Sequence, residues 1–88
     1  MDAEIWYIYV IQSVDGLHQY VGMSADPESR LKEHNAGKSQ FTKAFRPWKI
    51  VYTEKAGGRE GARKLEKYYK SAGGRRKIKR IIQGKTDA

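Results

Sequence analysis

Two β-branched and aromatic runs, Ile5 to Ile11 and Leu17 to Met23, flank the turn residues Asp15-Gly16, and this hairpin signal constrains the fold more than any other stretch. Strand side chains alternate between faces, so Tyr7 and Tyr9 share one face of the first strand and Tyr20 and Gly22 share one face of the second. With Asp15-Gly16 as a two-residue loop, Tyr9 stands opposite Gly22 and all four residues lie on the same face. A residue without a Cβ opposite a tyrosine leaves room for a ligand to approach the sheet.

A helix with good termini follows: Ser24 or Asp26 as N-cap, Pro27 at the first helical position and Gly37 just past the end. In helical projection Pro27, Arg30, Leu31 and His34 form one stripe, with Glu28, Ser29, Lys32 and Glu33 on the other side. The stripe that should face the sheet therefore contains an arginine and a histidine. An unpaired buried arginine is costly, so Arg30 requires a partner or a ligand there.

Gly37 to Pro47 is polar and basic, with Lys38, Lys43 and Arg46 alternating with Phe41 and Phe45. Interleaved cations and aromatics suit a single strand or a splayed junction, where bases stack and phosphates meet cations. The spacing of Phe41, Phe45 and Trp48 equally suits core packing, and Thr42 either touches a phosphate or is a turn residue. Trp48 to Glu54 reads as a third strand, with Trp48, Ile50 and Tyr52 on one face and Lys49, Val51 and Thr53 on the other. After Ala56-Gly57-Gly58 a helix runs from about Arg59 to Ser71, burying Ala62, Leu65 and Tyr69.

Glu66 falls at the rim of that stripe, either as the i,i+4 partner of Lys70, worth ~0.3–0.5 kcal/mol, or as a second inward anomaly like Arg30. Ala72-Gly73-Gly74 punctuates the chain again, and Arg75 to Ile82 reads as a short docking helix with Ile78, Ile81 and Ile82 inward. Its basic outer face would track a nucleic-acid backbone if it lay beside a phosphate site. The expected architecture is an α/β domain, a small three-stranded antiparallel sheet flanked by helices (ββαβα plus a C-terminal helix), over residues 1–83, with a frayed tail at 84–88.

A chain of 88 residues buries only about 60–65% of its unfolded surface, which leaves no room for a second lobe. Its 18 Lys and Arg against 10 Asp and Glu, a net charge of +8, favour a polyanionic partner, nucleic acid before membrane. With no cysteine and two histidines unsuited to pairing, an ordinary zinc site is excluded. No apolar leader or run of roughly 20 apolar residues is present, so a cytoplasmic monomer is the simplest expectation.

The order and spacing of these motifs resemble the GIY-YIG nuclease superfamily, in its small stand-alone branch, similar to the N-terminal nuclease domain of the bacterial excinuclease. Tyr7-Ile8-Tyr9 stands where that family has Gly-Ile-Tyr, and Tyr20-Val21-Gly22 where it has Tyr-Ile-Gly; Arg30 and then His34 follow at family spacing. Glu66 stands where the family has its metal-binding glutamate, and Tyr7 replaces a glycine. The resemblance implies a metal-dependent endonuclease that hydrolyses phosphodiester bonds in DNA with low sequence preference, in DNA repair or recombination. It implies catalytic roles for Tyr9, Tyr20, Arg30, His34 and Glu66. Glu66 would hold Mg²⁺ or Mn²⁺, Arg30 would clamp the phosphate, His34 would orient water or phosphate, and one tyrosine, its pKa lowered by cations or the metal, would take a proton. Lys38, Thr42, Lys43, Arg46, Arg75, Arg76 and Lys79 would contact nucleic acid, DNA before RNA. The alternative is a non-catalytic nucleic-acid-binding module or a small subunit docking a larger nucleic-acid complex.

Overall fold

The computed structural model describes residues 4–86, the side chains of Lys85 and Thr86 aside. Strand β1 (Trp6–Ser13) is the middle strand of a three-stranded antiparallel sheet, between β2 (Gln19–Ser24) and β3 (Trp48–Gly57). Helix α1 (Pro27–Asn35) follows the hairpin, a short 3-10 turn (Lys43–Phe45) precedes β3, and α2 (Arg59–Tyr69) and α3 (Ala72–Thr86) complete the chain. This is the ββαβα-plus-helix arrangement that the hydrophobic pattern predicts. No helix among the described residues is long and apolar enough to cross a membrane.

The hairpin has the expected register, with Tyr9 opposite Gly22 and Ile11 opposite Tyr20. Its loop is wider than two residues, because the backbone pairing closes at Ser13, whose N–H donates to the His18 carbonyl at 2.9 Å. The Asp15 carboxylate organises the loop by accepting from the Ser13 hydroxyl at 2.6 Å and the Leu17 N–H at 3.0 Å. Those donors hold the Asp15 carboxyl below its usual range. Gly16, at φ 78°, takes the left-handed conformation that other residues disfavour.

As the middle strand, β1 is covered on both faces. Ile8 and Val10 pack with Tyr69 and Ile78 under α2 and α3, while Tyr9, Ile11 and Trp48 form a second core with Leu31 of α1. The expected faces of β3 hold only in part. Ile11 pairs with Ile50 but Val10 with Tyr52, so Val51 is a bulge. The extra residue flips the alternation, and Tyr52 joins the α2/α3 core instead of sharing a face with Trp48 and Ile50. There Glu54 accepts hydrogen bonds from the Tyr52 hydroxyl at 2.7 Å and from the Tyr69 hydroxyl.

Gly73 and Gly74 lie inside α3 and do not break the chain. Ser71 caps the helix, its Oγ accepting from the Gly74 N–H at 3.2 Å. A Cβ on Gly74 would stand 2.1 Å from the Tyr68 carbonyl oxygen and 2.4 Å from Tyr69 Cα, so the glycine serves the close approach of α3 to the end of α2. The α3 backbone continues to Thr86, beyond the boundary expected at 83. Residues 87–88 of the expected tail lie outside the described residues, as do residues 1–3.

Candidate active site

Tyr9 is 1% exposed, and its ring lies across Gly22. A Cβ on Gly22 would come within 2.4 Å of the Tyr9 hydroxyl oxygen and 2.5 Å of Cζ. The absent side chain therefore makes room for the ring of Tyr9, and not for a ligand as the strand pattern suggests. Gly22→Ala is expected to displace a buried ring that cannot swing into solvent, costing about 1–3 kcal/mol of stability. A denaturation midpoint equal to the parent's would contradict that contact.

Helix α1 brings His34 onto this face. Asp26 is the N-cap, its carboxylate accepting from the Ser29 N–H at 3.2 Å; Pro27 opens the helix, and Gly37 follows its end at φ 82°. His34 is fully buried, with Nε2 3.0 Å from the Tyr9 hydroxyl and Nδ1 2.8 Å from Thr42 Oγ1. Burial, assisted by the positive charge of Arg30, holds the His34 pKa below the ordinary histidine value. The ring is thus neutral at neutral pH, with one nitrogen donating and the other accepting, and a hydroxyl at each end can serve either role.

Thr42, expected on the nucleic-acid surface, is fully buried and turned toward His34. Two residues that the sequence reading missed hold it there. The Trp48 indole N–H donates to the Thr42 carbonyl at 2.8 Å; the Asn35 side chain accepts from the Trp48 N–H at 2.7 Å and donates to its carbonyl at 3.1 Å. Chain spacing carries no signal for this series from Asn35 to Tyr9.

Arg30 stands at the rim with its side chain 39% exposed. The partner it requires is Glu33, one turn on, although the helical projection puts Glu33 on the opposite side. The positive charge of the guanidinium also acts on the Tyr9 hydroxyl. The Tyr20 ring is 5.2 Å from that of His34, edge-on, and 6.5 Å from that of Tyr9. From α2, Glu66 pairs with Lys70 at 3.4 Å, and the Lys70 ammonium lies 5.5 Å from the centre of the Tyr20 ring. The negative charge of Glu66 is felt at Tyr9. Glu66 is thus both the partner of Lys70 and a carboxylate at the edge of the tyrosine patch.

The Tyr9 phenol is pushed above its ordinary value, first by burial, then by the nearness of Tyr20 and Glu66; Arg30 pulls the other way without prevailing. A cation-lowered pKa, expected for one of the tyrosines, is not what Tyr9 has. Glu66 contributes a single carboxylate, and among the described residues no three His, Cys, Asp or Glu side chains gather. Such a donor suits Mg²⁺, which keeps several waters and takes substrate phosphate oxygens, and does not suit a closed zinc site.

The remaining expected contacts, Lys38, Lys43, Arg46, Arg75, Arg76 and Lys79, are all exposed. Arg46 donates from Nε to the Lys43 carbonyl at 2.9 Å, while Arg75 and Lys79 line an open groove beside Tyr20 and Phe41. The three loop aromatics divide: Trp48 is core, Phe45 stacks on His18 at 3.8 Å, and Phe41 is 64% exposed.

Fold and site together define a small α/β domain with a buried tyrosine–histidine pair and an arginine on one sheet face, and a rim carboxylate from α2, the helix that covers the other face. A family model described as the GIY-YIG catalytic domain matches residues 5–79, and the chain belongs to that family, a nuclease superfamily acting on DNA whose members are generally divalent-metal dependent. The chain is similar to a UPF0213 protein of Streptococcus agalactiae serotype V, 33% identical over 82 residues that cover 92% of each chain. A UPF0213 protein of Staphylococcus saprophyticus is 35% identical over 79 residues, covering 89% of this chain and 95% of the relative. Another, from Syntrophus aciditrophicus, is 34% identical over 79 residues, covering 88% and 90%. No solved structure matches the chain at a significant level.

Proposed function

We propose that this protein is a metal-dependent endonuclease that hydrolyses phosphodiester bonds in DNA with low sequence preference. The observation that carries the reading is the Tyr9 hydroxyl, bonded to His34, with the Tyr20 ring 6.5 Å from that of Tyr9 and within the fields of Arg30 and Glu66. Arg30 binds the scissile phosphate, since its planar fork is always charged and matches two phosphate oxygens.

The attacking water must lose a proton, and a phenol with a raised pKa is not ionised at rest. Tyr9 therefore relays. As its oxygen accepts the proton from water, its own proton passes to His34 Nε2, 3.0 Å away. His34 suits the acceptor role because its lowered pKa keeps it neutral, and Thr42 holds the ring from the Nδ1 side. Tyr20 orients the phosphate from the open side. Glu66 holds Mg²⁺ or Mn²⁺, which when bound supplies charge neutralisation at the phosphate and the leaving oxygen. The exposed cations contact phosphates, which carry no sequence information, and cutting of that kind suits DNA repair or recombination in the cytoplasm.

The test is a panel of labelled single-stranded, duplex, flap and splayed DNA with Mg²⁺, Mn²⁺ or a chelator. Cleavage with either cation and none with the chelator is the expected result. Cleavage untouched by the chelator would remove the metal, and no cleavage of any substrate would leave a non-catalytic binding module.

A further inference from the structure

We propose that the groove along the β2 edge is the track of an unpaired nucleic-acid strand, with its bases against Leu17, Tyr20 and Phe41 and its phosphates against Lys70, Arg75 and Lys79. The inference rests on the proposed nuclease reading for the point at which the strand is cut. It adds a substrate class, unpaired over duplex, and a binding surface.

The groove has a volume of about 830 Å³, is open along one side, and has no carboxylate among its described lining residues. Its walls differ in chemistry. One wall is cationic, with Lys70 just past α2 and Arg75 and Lys79 a helical turn apart on α3. The other is apolar, with Leu17 from the hairpin loop, Tyr20 from β2, and Phe41, whose ring is 5.8 Å from that of Tyr20. A polynucleotide strand has the same two sides, phosphates on one and base faces on the other.

The apolar wall decides between one strand and two. Leu17 is 77% exposed and Phe41 64% exposed, and exposed apolar side chains gathered on one wall mark a binding surface. In a duplex the base faces are stacked on one another, so a duplex offers this wall nothing to cover it. Unpaired bases stack on aromatic side chains, and do so without sequence preference.

The groove also leads to the candidate active site. Tyr20 belongs to both, and Lys70, in the cationic wall, pairs with Glu66 at 3.4 Å. A strand lying in the groove therefore runs past Tyr20 and the Lys70–Glu66 pair at the edge of the candidate active site.

The experiment is fluorescence anisotropy in chelator, using an unstructured oligonucleotide of about 12 nucleotides, as oligo(dT) and as oligo(U), and a DNA duplex of the same length. Single strands should bind about tenfold or more tightly than the duplex at equal salt, and the tighter of the two oligonucleotides identifies the preferred sugar while upholding the groove. Phe41→Ala, an exposed position whose truncation leaves the core untouched, should weaken single-strand binding by roughly fivefold or more and leave duplex binding unchanged. Arg75→Glu with Lys79→Glu should weaken it far more than Lys49→Glu with Lys55→Glu, an equal charge change on the exposed far edge at β3.

Equal or tighter duplex binding would overturn the inference. So would a Phe41→Ala affinity within about twofold of the parent, or an equal effect from the β3 pair. Phe41-dependent strand binding with no cleavage under any cation would sink the nuclease reading and keep the groove; cleavage without groove-dependent binding would do the reverse.

Discussion

Glu66→Gln is expected to abolish metal-dependent cleavage while leaving the fold and nucleic-acid binding nearly intact. Glutamine keeps the length and shape of the side chain but removes the charge that holds the cation. The structural cost is small because Glu66 stands at the rim, and the lost partner is the partly exposed Lys70 at i,i+4, a pair worth ~0.3–0.5 kcal/mol. The chemical cost is large, since charge neutralisation of a reacting phosphate by a metal is worth several kcal/mol, or about a thousandfold or more in rate. Binding to DNA should hold or tighten slightly, because a negative charge near the groove is gone and Lys70 is released. Rate, thermal midpoint and affinity measured on the same preparation separate these effects. Cleavage at the parent's rate would take Glu66 out of the site.

Tyr9→Phe should lose roughly 10²–10⁴ in rate, the usual worth of positioned proton transfer, whereas Tyr20→Phe should lose about fivefold, the worth of one neutral hydrogen bond. The two substitutions remove the same atom from different surroundings. Tyr9 is buried against His34, while Tyr20 is partly open and lines the groove. Removing the Tyr9 hydroxyl also leaves the buried His34 Nε2 without that partner, a cost of about 1–3 kcal/mol in stability, so rates must be compared well below each midpoint.

The pH profile separates the roles further. Protonated His34 cannot accept a proton, so the parent's rate should fall as pH drops through the His34 pKa, which lies below the ordinary histidine value. With the relay cut, Tyr9→Phe should lose that acid limb, and Tyr20→Phe should keep it. If both variants cleave within about threefold of the parent with the limb unchanged, the tyrosines are core aromatics and water is activated by the metal or His34 instead.

Much of this was legible from local pattern. The period-two runs and their turn set the pairing of Tyr9 with Gly22, and Asp26, Pro27 and Gly37 bounded α1. The rim position of Glu66 followed from the apolar stripe of α2. These depend on side-chain direction and hydrogen bonds within about one helical turn or one strand pair, which a linear sequence displays.

The tertiary structure alone decided the rest. The bulge at Val51 moved Tyr52 to the other face, close backbone approach required Gly74, and the ring of Tyr9 filled the space over Gly22. Thr42 turned inward to His34 through contacts from Trp48 and Asn35, and burial raised the Tyr9 phenol, one of the two tyrosines between which the sequence leaves a cation-lowered pKa open. The physical reason is distance along the chain. Tyr9 and His34 are 25 residues apart, and Asn35 and Trp48 are 13 apart. Burial is set by what every other element covers, so neither hydrogen-bond partners at that range nor the desolvation that shifts a pKa can be read from spacing.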